Sequence, residues 1–234
     1  MTHAVLVILA LMFSAQAPQT PRTAAPIDLT GNWVSVVTED WRWRMLTPPK
    51  GDYTSMPLNA EGRRVADTWD PGKAASDSCK AYGAAGLMRM PGRIRITWQN
   101  DSSLKIETDA GVQTRLLSFD KSVKPAAART WQGHSLAEWE VAGGRGGGRG
   151  QQRAGALKVM TTNLRAGYLR KNGIPYSEDA VVTEYYDRLM SSGMELLTVI
   201  TVVEDPRYLT QPFITSTHFK REPDGSKWSP APCE

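Results

Sequence analysis

The chain has 234 residues, of which 41% are hydrophobic and 22% are charged, and its formal net charge is +4 at pH 7. This length excludes a domain too small to bury a sizeable core and fits one domain of ordinary size. A basic surface favours anionic lipids or polysaccharide, but a net charge this small does not select a partner.

The N-terminus carries a short apolar run, AVLVILALMF at residues 4–13, followed by the small-residue segment SAQA. The run is too short to cross a bilayer, which needs about 20 apolar residues. Ala15 and Ala17 suit signal peptidase, so we predict a signal peptide over residues 1–17 and an exported protein, periplasmic or secreted. A retained anchor is the alternative. No second apolar run of membrane length follows, so we expect no transmembrane segment after signal removal.

Residues 18–28 are rich in Pro, Thr and Ala, which is typical of a tether. Folding is predicted to begin near Leu29, so residues 29–234 form the predicted single domain. The first strand is predicted over residues 31–38.

The segment EDWRWRM at residues 39–45 follows this first strand. Tryptophan and arginine at this density are typical of a rim where aromatic rings stack on cations or cover an apolar cavity. Packing of a barrel plug is the alternative interpretation. Further along, Asn59 can cap one short helix that continues to Asp67 or Trp69 and ends at the Asp-Pro-Gly turn of residues 70–72.

Only two cysteines occur, Cys79 and Cys233, and the second lies at the extreme end of the chain. Disulfides form in exported proteins, and we therefore predict a bond between these two residues. Closing so long a loop stabilises a fold by roughly 4 to 5 kcal/mol in the chain-entropy treatment. The alternative is two unpaired thiols.

After Leu87 the sequence alternates apolar and polar residues with a period of two, and turn residues separate the alternating runs. This pattern is typical of antiparallel strands with one buried face, and with so little helix it indicates an all-β barrel or sandwich. The further predicted strands are residues 93–99, 104–108, 112–119, 130–140, 156–163, 180–189, 195–204 and 213–221.

The stretch GGRGGGRG at residues 143–150 lies between two of these strands. Glycine repeats have too little apolar surface to order themselves, so we predict a flexible loop over residues 143–153. RNA binding is the alternative, but it uses aromatic stacking partners and the segment contains none. We expect no nucleic-acid partner.

Ligands for a metal are scarce, because His134 and His218 are the histidines left after signal removal and they lie on separate strands. The sequence contains no nucleophile-elbow, Walker or dinucleotide motif. We therefore predict neither a metal site nor a cofactor, and interpret His134 as a surface or cavity residue.

Two charged residues lie in strands that are otherwise half buried. Glu184 shares a strand face with Val182 and Tyr186. Arg115 shares one with Leu117 and Phe119. If these faces point inward, the barrel encloses a carboxylate and a guanidinium. They form either a structural ion pair or the polar end of a ligand cavity.

Several short motifs occur along the chain: G-x-W in the segment DLTGNW, followed by W-x-G-x-S, G-x-P-x-S and V-T-E. Together these motifs resemble a family of exported bacterial lipocalin-like proteins, in which G-x-W marks the start of the barrel. The resemblance implies an antiparallel calycin-type barrel of about 8 to 10 strands. It implies fold and export rather than a reaction. The glycine-rich insert departs from the family pattern. The segments that carry the resemblance are MPGRIRITW, WQGHSLAEWE, GALKVMTTNL, NGIPYSEDAVVTEYY, LTVITVVEDPRYLTQPF and the terminal FKREPDGSKW.

Three functions follow as hypotheses. The first is binding of a small hydrophobic molecule inside the barrel, with Arg115 or Glu184 orienting its polar end. The second is a cofactor-independent isomerase, cyclase, lyase or hydratase, in which Glu184 is the general base or acid, Tyr185 or Tyr186 donates a proton and Arg115 stabilises negative charge. The third is an envelope protein that binds a partner through its loops. The residues predicted to line the ligand site are Trp33, Trp98, Trp131, Trp139 and Tyr185.

Overall fold

The structure is a computed structural model that describes residues 19–73, 78–141 and 155–233. The predicted signal peptide and the predicted Gly/Arg-rich loop lie outside the described residues. The strands are β1 (Gly31–Val36), β2 (Arg93–Asn100), β3 (Ser103–Thr108), β4 (Thr114–Ser118), β5 (His134–Val141), β6 (Gly155–Thr162), β7 (Gly167–Arg170), β8 (Ile174–Tyr176), β9 (Val181–Ser191), β10 (Met194–Glu204) and β11 (Phe213–Glu222).

Within the described ranges, nine strands close into a barrel in the order β1-β11-β10-β9-β6-β5-β4-β3-β2, and β7 and β8 form a separate sheet. The predicted all-β barrel is confirmed. Its pairing is antiparallel except between β4 and β5, which are parallel. Antiparallel neighbours alternate in direction, so a ring with an odd number of strands closes only if it includes a parallel pair. The long connection between β4 and β5, residues 119–133, carries the chain back along the barrel to allow this pair.

Short helices cover one end of the barrel. The predicted helix is observed at Ala60–Ala66 (α2), and the side chain of Asn59 accepts a hydrogen bond from the amide of Gly62 at 2.8 Å. Two further helices of a single turn, Trp41–Arg44 (α1) and Ala84–Leu87 (α3), were not predicted, since four residues show no helical period. The helices are α1 (Trp41–Arg44), α2 (Ala60–Ala66), α3 (Ala84–Leu87) and the 3₁₀ turns Pro71–Lys73 and Ser78–Tyr82.

The two ends of the barrel differ. The β2–β3, β5–β6 and β9–β10 hairpins meet at one end, which we call the mouth. The other end, which we call the capped end, is closed by the helices, β7, β8 and the loop before β11. One buried cluster fills the barrel around Trp33 and Tyr186, and a second lies under the cap around Tyr176 and Leu209.

The segment predicted as a tether contacts the barrel mouth over its described part, residues 19–28. The amide of Arg22 donates to the carbonyl of Asp101 at 3.1 Å, and the indole of Trp139 donates to the carbonyl of Pro21 at 2.8 Å. Ile27 packs against the barrel core. The Pro-, Thr- and Ala-rich composition gave no sign of these contacts, because they depend on residues far along the chain.

A disulfide joins Cys79 to Cys233 across 154 residues, which confirms the predicted pairing. Two residues before Cys233, the amide of Ala231 donates to the carbonyl of Asp109 at 2.9 Å, and its carbonyl accepts from the amide of Gly111 at 2.9 Å. The C-terminal segment is therefore held beside the β3–β4 turn by covalent and hydrogen bonds.

Replacement of both cysteines, Cys79→Ser with Cys233→Ser, is expected to lower the free energy of unfolding by about 2 to 5 kcal/mol, because the unfolded chain gains the entropy of an open loop. Urea unfolding of the oxidised wild type and the double variant measures this difference. Reduced wild type is the matched control and should unfold with the double variant. Equal midpoints for all three samples would contradict the prediction.

Candidate functional site

A buried ion pair lies inside the barrel. Arg115 on β4 and Glu184 on β9 both point inward, and neither side chain is exposed. The Nη1 and Nη2 atoms of Arg115 donate to Oε1 and Oε2 of Glu184 at 3.0 and 2.6 Å. This bidentate contact is the geometry in which a guanidinium binds a carboxylate most strongly.

Polar neighbours extend the pair into a small network. Nη2 of Arg115 also donates to Thr161 Oγ1 at 3.2 Å, and Thr161 shares a 2.8 Å hydrogen bond with Ser135. The hydroxyl of Tyr186 accepts from Nη1 at 3.5 Å. Side chains from β4, β5, β6 and β9 are thereby joined across the barrel interior.

Burial and charge act on this network together. Burial is the largest single influence on the pKa of Arg115 and lowers it, but the charges of and hydrogen bonds to Glu184 and Tyr186 together outweigh burial and hold that pKa above its usual value. Burial raises the pKa of the Tyr186 hydroxyl, and the negative charge of Glu184 raises it further. At neutral pH Arg115 is therefore charged and Tyr186 is neutral.

This arrangement favours the structural interpretation of the pair. A general base needs a free carboxylate oxygen within reach of a substrate, whereas Arg115 occupies both oxygens of Glu184. The pocket at the barrel mouth, beside Trp98 and Trp139, does not include the pair. The catalytic roles predicted for Glu184, Tyr186 and Arg115 stay predictions.

The predicted ligand-binding aromatic residues are separated by the fold. Trp33 is fully buried and its indole donates to the carbonyl of Leu29 at 3.1 Å. Trp131 lies at the capped end, where the guanidinium of Arg165 stacks on its ring at 4.6 Å. Tyr185 points away from the interior, since its strand neighbours point inward.

Trp98 and Trp139, in contrast, meet at the mouth. Their ring centroids are 6.5 Å apart, and Phe119 lies between them at 5.7 Å from Trp98 and 5.4 Å from Trp139. Phe119 was not predicted as part of a site. It follows the last residue of β4, and only the closure of the barrel brings it between β2 and β5.

A pocket of about 300 Å³ opens beside this aromatic cluster. Trp98, Leu104 and Trp139 form its apolar wall, and the segment before β1 forms the opposite wall. Sequence reasoning missed that second wall, because the segment was interpreted as a tether. The residues of the second wall are Arg22, Ala25, Ile27, Asp28, Leu29 and Thr30.

Other recesses differ from this pocket in shape and position. A hollow of about 260 Å³ lies against the outer face of β5 and β6. An open groove of about 450 Å³ runs between Met56 and Ile214 at the capped end, and a recess of about 210 Å³ lies between Trp69 and Tyr208. None of these three includes Arg115.

The histidines are apart in the structure. His134 is half buried at the start of β5, and Nδ1 of His218 lies 3.5 Å from Oε2 of Glu39. Across residues 19–73, 78–141 and 155–233, no group of His, Cys, Asp and Glu side chains is arranged to hold a metal ion. In the same part of the chain, every helix is too short or too polar to span a membrane.

Glu184→Gln is expected to lower the free energy of unfolding by about 3 to 5 kcal/mol, because it leaves the buried charge of Arg115 without a counter-ion. Arg115→Met combined with Glu184→Leu should cost less than the single change, since no buried charge remains. Urea unfolding measures both. The exposed pair of Lys121 and Glu138 supplies the control, and Glu138→Gln should change stability little. A double variant that is less stable than Glu184→Gln would contradict this account.

Stability is expected to fall above about pH 10, where tyrosine hydroxyls of the unfolded chain ionise. The raised pKa of Tyr186 means that the folded chain keeps a proton that the unfolded chain releases. The free energy of unfolding should therefore decrease by up to about 1.4 kcal/mol per pH unit for this one group. Tyr186→Phe should have a shallower slope when both proteins are unfolded in urea between about pH 9 and pH 11. Equal slopes would contradict the prediction.

Comparison with protein-family models, curated proteins and solved structures yields no match to this chain. The resemblance to exported lipocalin-like proteins therefore stays a prediction.

Proposed function

We propose that the protein is an exported barrel that binds a small, largely hydrophobic molecule at its mouth, between Trp98 and Trp139. The observation that carries this proposal is the pocket of about 300 Å³ that these two indoles and Leu104 line. Ligand pockets measure roughly 300 to 1,000 Å³, so this one suits a compact ligand.

Because side chains fill the interior of the barrel, we place the ligand at the mouth rather than inside. At the level of the aromatic cluster, Leu104, Leu117 and Leu157 are almost completely buried and fill the barrel beside it. The buried ion pair lies deeper still. A ligand can contact Trp98 and Trp139 without displacing this core.

The second wall supplies the polar groups that would orient such a ligand. Arg22 is about half exposed and lies 3.6 Å from Asp101, so its guanidinium can turn toward the pocket at little cost. Oδ1 of Asp28 accepts hydrogen bonds from the amide and hydroxyl of Thr30 at 2.9 and 2.7 Å. An apolar ring system with one polar or anionic edge is the chemistry that matches these two walls.

Export is part of the same proposal. The described chain contains a disulfide, which is compatible with an oxidising compartment, and the sequence begins with the apolar run of a predicted signal peptide.

Trp139→Ala and Trp98→Ala are each expected to weaken binding of the neutral probe N-phenyl-1-naphthylamine by about tenfold or more. Each change removes one indole ring from the apolar wall of the pocket. Probe fluorescence titrated against the mature protein measures the affinity. Trp131→Ala is the matched control, since Trp131 lies at the capped end, and it should bind as the wild type does.

Denaturing extraction and mass spectrometry of the purified protein provide a second measurement. A co-purified small molecule that is lost in Trp139→Ala supports the proposal. Wild-type protein that neither carries such a molecule nor binds the probe would overturn it.

A further inference from the structure

Three arginines are buried together at the capped end, far from the mouth. Arg44 ends α1, Arg89 follows α3 and Arg170 ends β7. Their exposed fractions are 6%, 5% and 2%. Arginine is rarely buried to this degree unless its charge and its donors find partners.

The partners of this arginine cluster are incomplete. Nε of Arg44 donates to the carbonyl of Arg89 at 2.9 Å, and Arg44 forms an ion pair with Glu39. Nη1 of Arg170 donates to the carbonyl of Thr54 at 2.9 Å.

Aromatic rings and one further carboxylate complete the surroundings. The guanidinium of Arg170 stacks on the ring of Trp43 at 4.8 Å, and that of Arg89 lies over Phe213 at 5.5 Å. Nη1 of Arg89 is 3.0 Å from Oδ2 of Asp40, close enough for an ion pair but without the alignment of a hydrogen bond.

Five buried guanidinium nitrogens then remain without a hydrogen-bond partner among the described residues. They are Nη2 of Arg44, Nη1 and Nη2 of Arg89, and Nε and Nη2 of Arg170. A buried donor left unsatisfied costs about 1 to 3 kcal/mol, and more when it is charged. So many donors in one place indicate a site that an acceptor-rich group completes.

The electrostatics of the cluster agree with that interpretation. Burial lowers the pKa of Arg170 to about 10, and repulsion from Arg89 contributes to the shift. Burial also lowers the pKa of Arg44, where Glu39 opposes the shift and Arg89 adds to it. Arginine keeps its charge in proteins, so Arg89 repels both Arg44 and Arg170 in the folded protein.

We propose that Arg44, Arg89 and Arg170 form a binding site for a phosphate group. A carboxylate brings two oxygens, whereas a phosphate brings up to four, which is the better match to five nitrogens that lack a hydrogen-bond partner. The planar guanidinium fork matches phosphate geometry, and phosphate charge would relieve the repulsion between the arginines.

Asp40 occupies part of this site and sets how phosphate enters. Its backbone has a positive φ of 51°, which a non-glycine residue adopts at some cost, and its carboxylate acts on all three arginines. About a third of its side chain is exposed. Asp40 therefore lies between solvent and the cluster, and phosphate would take over Arg89 from it.

The first experiment is calorimetric titration of the mature wild type with inorganic phosphate, and separately with acetate and sodium chloride at matched ionic strength. We expect saturable heat with phosphate and none with chloride. Absence of phosphate binding, or acetate binding as tight as that of phosphate, would overturn the proposal. A further titration with glycerol 3-phosphate distinguishes the source of the group, since tighter binding than inorganic phosphate identifies an ester and weaker binding the free ion.

Variants then assign the site. Arg170→Lys keeps the charge but loses the fork, and should weaken phosphate binding by about tenfold or more. Asp40→Asn removes the competing carboxylate, keeps a residue that tolerates positive φ, and should tighten binding. Arg64→Gln, at an exposed arginine of α2 at the same end, is the control and should bind as the wild type does. Circular dichroism checks that Arg170→Lys folds. If it does not, Asp40→Asn tests the proposal by itself, and unchanged or weaker phosphate binding in that variant would overturn it.

Discussion

The ion pair between Arg115 and Glu184 holds the barrel together where its backbone pairing is weakest. The parallel ladder of β4 and β5 has two residue pairs, Leu117 with Ser135 and Ser118 with Leu136. Arg115 reaches from β4 across the interior to Glu184 on β9 and Thr161 on β6. A slip of one residue in β4 would turn the guanidinium outward and leave Glu184 buried without a counter-ion, so the pair also fixes the register.

Once that pair is buried, the interior has little room for a ligand. Aliphatic side chains fill the barrel between the pair and the mouth, and the second buried cluster fills the space beneath the cap. Binding sites that a ligand reaches from solvent consequently lie at the two ends of the barrel. The pocket beside Trp98 and Trp139 and the arginine cluster beneath α1 occupy opposite ends, and neither depends on the other.

The strands, the helix α2 and the disulfide could be predicted from the sequence because each rests on a local or compositional signal. These signals are alternation with a period of two, the cap at Asn59, and two cysteines in a chain predicted to be exported. The parallel pair of β4 and β5 could not be predicted, because it follows from the odd number of strands in the closed barrel. Parity placed Arg115 and Glu184 on the same strand faces as apolar residues. Only barrel closure decides that these faces point inward and that the two side chains meet. Short β7 and β8 lie between turns and showed no periodic pattern.

Two kinds of buried arginine therefore occur in one domain, and their hydrogen-bond partners indicate which has a structural role and which a binding role. Arg115 is matched to a carboxylate through both of its terminal nitrogens and leaves only Nε without a partner, as expected of a residue kept for the fold. At the capped end, Arg89 repels both Arg44 and Arg170, and the three side chains leave five donors unsatisfied, which destabilises the folded chain in the absence of a bound anion. Hydrophobic residues of similar size would pack the same space at lower cost. Retention of three cations there is explained by a negatively charged ligand better than by stability.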